Sequence, residues 1–237
     1  MFITTPAGCD FRVISLPEKN IEGIKGYTGT DTAATVLLAP SLTADFSLEC
    51  YSSDGTPYEE VCLPCIAGCD FLVRGRGLPL DTVDFETPRG RVTVERDKDG
   101  FYKVKLFKCK QVYTKTQEIS GCKITVADVI FDIHARVIYC DSIDLFDRNI
   151  LRKLLLAVDS VPSLVVALSA SGGVITLDTY GEHKSDNVNN ILPAIAGIYA
   201  LPYLTGRYRE EYTVSSVPGL IAGANFSDRY IKVRACP

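Results

Sequence analysis

Nine cysteines and two histidines are the residues of this 237-residue chain best suited to chemistry, and their spacing narrows what that chemistry is. The tightest group is Cys62-x-x-Cys65-x-x-x-Cys69. A zinc or iron–sulfur site needs four ligands, and no second cysteine pair or nearby histidine supplies the fourth. A thioredoxin-type Cys-x-x-Cys pair needs a strand entering a βαβ unit, which the flanking pattern is not. What remains for Cys62 is a thiol at the start of a predicted helix, where free N–H groups and the dipole favour thiolate. Such a thiolate should alkylate faster at neutral pH than the other cysteines. The alternative is a small, buried, inert side chain. His134, His183, Glu182 and Asp186 are further titratable side chains. His183 falls in a polar stretch that suits a solvated loop. Asp54-Gly55 reads as a turn. Gly75-x-Gly77 is too short for a nucleotide fingerprint and reads as the end of the first helix.

The elements that must hold these groups are mostly short strands separated by Gly, Pro and Asp turns. Strands are predicted at Phe11–Ser15, Ala34–Leu38, Phe46–Tyr51, Val83–Thr87, Arg91–Glu95 and Tyr102–Phe107. They continue at Lys123–Phe131, Arg136–Cys140, Leu164–Leu168, Val174–Tyr180, Tyr212–Val217 and Tyr230–Arg234. Helices are predicted from Cys62 to about Val73, near Asp147–Leu156, and from about Asn189 to Leu201. In the first and third, a proline stands close to the start, where its missing N–H is no loss.

The chain also echoes itself. Leu63-Pro64-Cys65-Ile66-Ala67-Gly68 returns as Leu192-Pro193-Ala194-Ile195-Ala196-Gly197, and Asp99–Lys105 returns at the same offset as Asp228–Arg234. A period this long is outside the range of solenoids and propellers and argues for two homologous halves. The predicted fold is α+β: two pseudo-symmetric halves, each a curved mixed sheet wrapped around a central helix, with a cleft between them. The halves are residues 1–112 and 113–227, with the boundary near Gln111–Ser120 and the last strand, within 228–237, returning to the first half.

Bulk composition excludes several classes. With 46% hydrophobic and 23% charged residues the chain is an ordinary globular protein. A net charge of −4 with scattered basic residues gives no footprint for nucleic acid. The N-terminus lacks a basic region followed by an apolar run, and the longest apolar stretches carry prolines or are too short to span a bilayer. The expectation is a cytoplasmic protein that does not enter membranes, with most cysteines buried rather than bridged.

The order of motifs resembles diaminopimelate epimerase and its relatives, the pyridoxal-independent amino-acid racemases and epimerases, over nearly the whole chain. The family's opening Gly-Asn-Asp-Phe is similar to Gly8-Cys9-Asp10-Phe11, and its Asn-Ala-Asp-Gly before a catalytic cysteine is similar to Ser52-Ser53-Asp54-Gly55 before Cys62. In the second half, Gly-Asn-Pro-His is similar to Phe131-Asp132-Ile133-His134, and Tyr-Glu-Arg-Gly to Tyr180-Gly181-Glu182-His183. The resemblance implies a cofactor-independent isomerase acting on a small amino or hydroxy acid, and related folds admit a homodimer. Cys62 would be the base and His134 a substrate contact or acid. Cys9, Ser52, Asp132, Ser163, Glu182, His183 and Asn190 would contact substrate.

The departures matter as much. Where the family's second cysteine should open the third helix, this chain has Asn190 or Ile191. Neither can shuttle a proton. The family's glycine-rich anion cradles read Leu63-Pro64-Cys65 and Leu192-Pro193-Ala194, which remove a donor and add bulk. Two readings follow. One is a single-cysteine isomerase, whether by isomerisation, elimination or racemisation. The other is a catalytically inactive descendant that binds a small ligand or a protein partner.

Overall fold

The computed structural model describes residues 2–17, 34–58, 60–106, 109–119, 121–130, 134–141, 149, 164–181, 191–206, 209–215, 219–224 and 229–236. The chain divides into two compact units, Met1–Leu106 with Tyr230–Pro237, and Phe107–Arg229.

In the first unit the strands are β1 (Phe2–Pro6), β2 (Phe11–Ser15), β3 (Ala34–Pro40), β4 (Phe46–Ser52), β5 (Thr82–Thr87), β6 (Gly90–Arg96), β7 (Phe101–Lys105) and β15 (Arg229–Cys236). Neighbours in this order pair, and β15 bonds β7 on one side and β1 on the other, so the strands run round into a ring. Helix α1 (Cys62–Asp70), continued by a π-helical turn at Phe71–Gly75, packs against β1–β4, β6 and β7. All nine residues of α1 are buried, which is why it carries no polar face. Strands β5 and β6 alternate instead, with Val83, Phe85, Val92 and Val94 turned inward and charged residues outward.

Close packing depends on Gly68. A Cβ there would sit 3.1 Å from Leu48 Cδ1 and 3.2 Å from Leu38 Cδ2, so alanine would overpack the core at a cost of about 1–3 kcal/mol. At the far end of α1, fully buried Asp70 accepts from Thr4 Oγ1 (2.6 Å), Tyr102 Oη (2.8 Å) and the Arg74 guanidinium. That buried carboxylate is fully partnered and ties the helix to β1 and β7.

The second unit has β8 (Gln111–Ile119), β9 (Cys122–Ile130), β10 (His134–Tyr139), β11 (Leu164–Ser171), β12 (Val174–Gly181), β13 (Glu211–Val214) and β14 (Leu220–Ala224). Helix α2 (Ile191–Thr205) packs against β8–β12 and β14. Pairing alternates antiparallel, parallel, antiparallel, parallel, antiparallel from β9 to β14, the order found from β1 to β6. Each helix follows the fourth strand of its series. Gly68 lies under Leu38 and Leu48, which face each other across β3 and β4. Gly197 lies under Leu168 and Leu177, which face each other across β11 and β12.

Three strands went unpredicted: β1, β8 and β14. The sequence of β8, Gln111–Ile119, alternates but is rich in Thr and Gln, so it reads as a linker; it is instead a strand in the second unit, and the division falls at Leu106/Phe107. Strand β14, Leu-Ile-Ala-Gly-Ala, is too small and glycine-interrupted to carry a strand signal. The helix predicted near Asp147–Leu156 lies outside the described residues, Asn149 excepted. Among the described residues no helix is long and apolar enough to cross a membrane.

Candidate functional site

Chemistry in the first unit centres on the start of α1, and the decisive residue there is Glu60. Its carboxylate accepts the N–H of Cys62 and, at 3.0 Å, that of Leu63. Pro64 has no N–H, and the Cys65 N–H already bonds Val61 O at 3.0 Å. The first-turn donors of residues 62–65, the groups a helix start offers to an anion, are therefore used up within the chain. Glu60 is only 7% exposed, and burial pushes its carboxyl above the usual range despite those hydrogen bonds and the Arg89 charge.

Cys62 stands where the sequence placed it, at the first position of the helix, but it is 3% exposed and its thiol hydrogen-bonds the Glu60 carboxyl. The expectation of an accessible thiolate meets the opposite geometry: the neighbouring charge is negative and internal. Cys9 is gathered into the same region. It is buried, with Sγ 3.9 Å from Ala7 O, and burial followed by the Glu60 and Asp10 charges pushes it up to about 11. Burial and Glu60 likewise raise Cys50, Cys65 and Tyr58. Such thiols are protonated and unreactive near neutral pH. Tyr58 Oη is buried without a hydrogen-bond partner, and a cavity of about 190 Å³ beside it is lined by Cys50, Tyr51, Tyr58, Val61 and Arg89.

Ser52, expected to touch substrate, closes a turn. Its hydroxyl bonds Asp54 and Thr56, the Thr56 N–H bonds Asp54 at 2.9 Å, and these donors hold the Asp54 carboxyl down at about 2. Asp54 is the turn-former its sequence suggested.

In the second unit, register builds a different site. Tyr113, Asp128 and Arg136 face one another on β8, β9 and β10. Arg136 donates to Asp128 through Nε at 2.7 Å and Nη2 at 3.1 Å, and Lys115 Nζ lies 2.7 Å from the same carboxylate. Asp128 and Arg136 are both fully buried. Burial alone would raise Asp128, but Arg136 and Lys115 outweigh it and bring it to about 2. His134, at the start of β10, lies along the same face. Its Nε2 is buried and 3.4 Å from Asp128 Oδ1, within ion-pair reach but without hydrogen-bond geometry.

Cys62 and His134 thus belong to different units. Asp132, Ser163, Glu182, His183, Asp186 and Asn190 lie outside the described residues. Ile191, the other residue in register with Cys62, opens α2 and is 1% exposed. Among the described residues no three His, Cys, Asp or Glu side chains are grouped to hold a metal, and the seven cysteines with described side chains are free thiols. Sequence reasoning missed Glu60. The available signal was an acidic residue just ahead of a helix start, where carboxylates are favoured.

No known family profile and no curated protein matches the chain. Solved structures do. A PhzC/PhzF-type phenazine biosynthesis protein of Clostridium difficile superposes with a TM-score of 0.72 at 12% identity, covering 99% of this chain and 95% of that one. A hydroxyproline epimerase of Agrobacterium vitis, holding trans-4-hydroxy-L-proline, gives 0.60 at 11% identity, over 99% and 89%. Methylitaconate-delta-isomerase gives 0.63 at 8% identity, over 99% and 92%. At such identities the likeness is one of fold. This chain therefore shares its fold with a PhzC/PhzF-type protein, a probable proline racemase, a hydroxyproline epimerase and methylitaconate-delta-isomerase.

Proposed function

We propose that this chain is a non-catalytic descendant of the cofactor-independent isomerases, built from two homologous halves, that binds a small ligand without turning it over. The observation that carries the reading is the Glu60 carboxylate on the Cys62 and Leu63 N–H groups. A substrate carboxylate would have to displace an internal one that is already in place and loses no translational freedom by staying there. The thiol that should meet the Cα proton is covered and faces the same carboxyl. At the corresponding start of α2, Ile191 can neither give nor take a proton. Homology of the halves is supported by the shared order of strand pairings and by the matching placement of Gly68 and Gly197 under facing leucines.

A single-base isomerase acting on an amino or hydroxy acid, with Cys62 as base and His134 as acid or substrate contact, is the second reading. One observation favours it: the Cys62 thiol and a carboxyl of raised affinity for protons are hydrogen-bonded, a pair between which a proton can pass. Incubation in heavy water with a pool of amino and hydroxy acids, followed by NMR of the Cα–H signals, decides between them. No loss of signal is expected. Loss that disappears in Cys62→Ser would overturn the non-catalytic reading.

A further inference from the structure

Away from α1, the second unit contains a cavity of about 510 Å³, within the range usual for small-ligand sites. It lies beyond the last turn of α2, where Leu201, Thr205 and Gly206 meet the β11–β12 hairpin at Ser171-Gly172-Gly173. Tyr139, Arg209 and Tyr212 complete its polar and aromatic lining. Neither Cys62, Glu60 nor His134 contributes to it.

Three residues with polar side chains, Arg209, Tyr139 and Ser171, line this space, and Arg209 and Tyr139 both act electrostatically on Tyr212. Solvent alone can satisfy an exposed arginine or serine, so their grouping around one concave space is the informative part. The backbone is adapted to the arginine. Gly173 has φ +89° and lies against the guanidinium so closely that a Cβ there would be 2.4 Å from Arg209 Nη1. Its carbonyl also accepts the Thr213 N–H at 2.9 Å, which fixes the hairpin end beside β13. Tyr212 is held by a backbone hydrogen bond at Arg209, and burial raises its hydroxyl above the ordinary range, so it stays neutral. Leu201 and Ala170 add apolar lining.

We propose that this cavity is a binding site for a small monocarboxylate with an aromatic body, with Arg209 taking the carboxylate and Tyr139, Tyr212 and Leu201 enclosing the ring. A guanidinium presents the forked donors that fit a carboxylate. A single arginine, set near the carbonyl end of α2 whose partial charge is negative, matches one anionic charge rather than the two of a phosphate monoester. The proposal goes beyond the reading of Glu60 and stands apart from it, because no residue of α1 lines the cavity.

Benzoate is the probe, benzamide its uncharged counterpart and inorganic phosphate the competing anion. Each is titrated into the full chain and followed through the backbone amide resonances of Gly172, Gly173 and Tyr212. Benzoate should shift these resonances in a saturable way, with benzamide and phosphate about tenfold weaker or worse. Arg209→Gln, an exposed substitution that leaves the fold intact, should weaken benzoate by a similar factor, whereas Cys62→Ser should not change it. Equal responses to benzoate and benzamide, a benzoate response unchanged in Arg209→Gln, or shifts confined to other parts of the chain would each overturn the proposal. Preference for phosphate would also overturn it, by assigning the arginine to a different anion.

Discussion

Two buried carboxylates, one in each unit, have been treated oppositely. Glu60 sits among backbone N–H groups and thiols, and burial leaves its proton held more tightly than in water. Asp128 sits against Arg136 and Lys115, and two cations more than offset the same burial, bringing it to about 2. Burial is common to both. The difference is the formal charge of the partners: N–H dipoles reduce the penalty of burying an anion, whereas a guanidinium and an ammonium reverse it. The first arrangement occupies N–H groups that a helix start otherwise offers to an anion. The second locks three strands together and leaves His134 beside an anion already committed elsewhere.

The comparison breaks most readily at Arg136. Replacing it by methionine should strip Asp128 of its main partner and cost about 3–5 kcal/mol of stability, read from urea unfolding. Adding Asp128→Asn should recover much of that loss, because the uncompensated charge then goes. A single-variant loss below about 1 kcal/mol would mean that Lys115 and water already suffice.

Glu60→Ala should cost less, about 1–2 kcal/mol, since it removes a cap rather than strands a charge. Glu60→Gln, which keeps one acceptor, should lie closer to wild type. If alanine is neutral, the hydrogen bonds at the start of α1 contribute nothing net.

A pH series sharpens the contrast through opposite slopes. Asp128 has a folded-state pKa of about 2, below its unfolded value, so its contribution is complete above the ordinary aspartate range and is lost as pH falls toward 2. Glu60 is shifted upward, so the folded state binds its proton more tightly than the unfolded chain does. Stability from this group is greatest below the ordinary glutamate range and declines as pH rises through the raised pKa. Relative to wild type, Glu60→Gln should flatten the neutral side of the profile and Asp128→Asn the acid side. Exchange of these two effects would refute the assignment.

Smallest should be the effect on thiol labelling. In the native protein Cys109 and Cys140, which are partly exposed, should alkylate before the buried Cys62. Glu60→Ala should bring Cys62 forward by removing a negative neighbour. Fast labelling of Cys62 in wild type would instead restore the picture of an available base at the helix start.

Much of the fold was legible because it is written in local periodicity. Strands such as β5 and β6 alternate cleanly, and the prolines near the starts of α1 and α2 mark where each begins. Strand β8 was missed because its tyrosine, lysine and threonines mimic a linker, and its identity as a strand comes from nine consecutive pairs with β9. Cys62 was legible as a residue at a helix start. Its lack of exposure was not, because the ring of strands that buries it is closed by β15, from the far end of the chain. Asp128 escaped notice because nothing in the spacing of residues 115, 128, 134 and 136 brings them together until the register of β8, β9 and β10 does.

By itself, then, the sequence determined the alternation of strands and helices, the recurrence of one helix pattern, and the absence of a cysteine at the second helix start. Those follow from residue type and short-range spacing, which act within a few residues along the chain. Whether Glu60 faces water or the α1 N–H groups, and whether Asp128 meets two cations, was decided only by tertiary structure. The free energy of a charge depends on how deeply it is buried and on what lies within a few ångströms, and long-range strand pairing sets both.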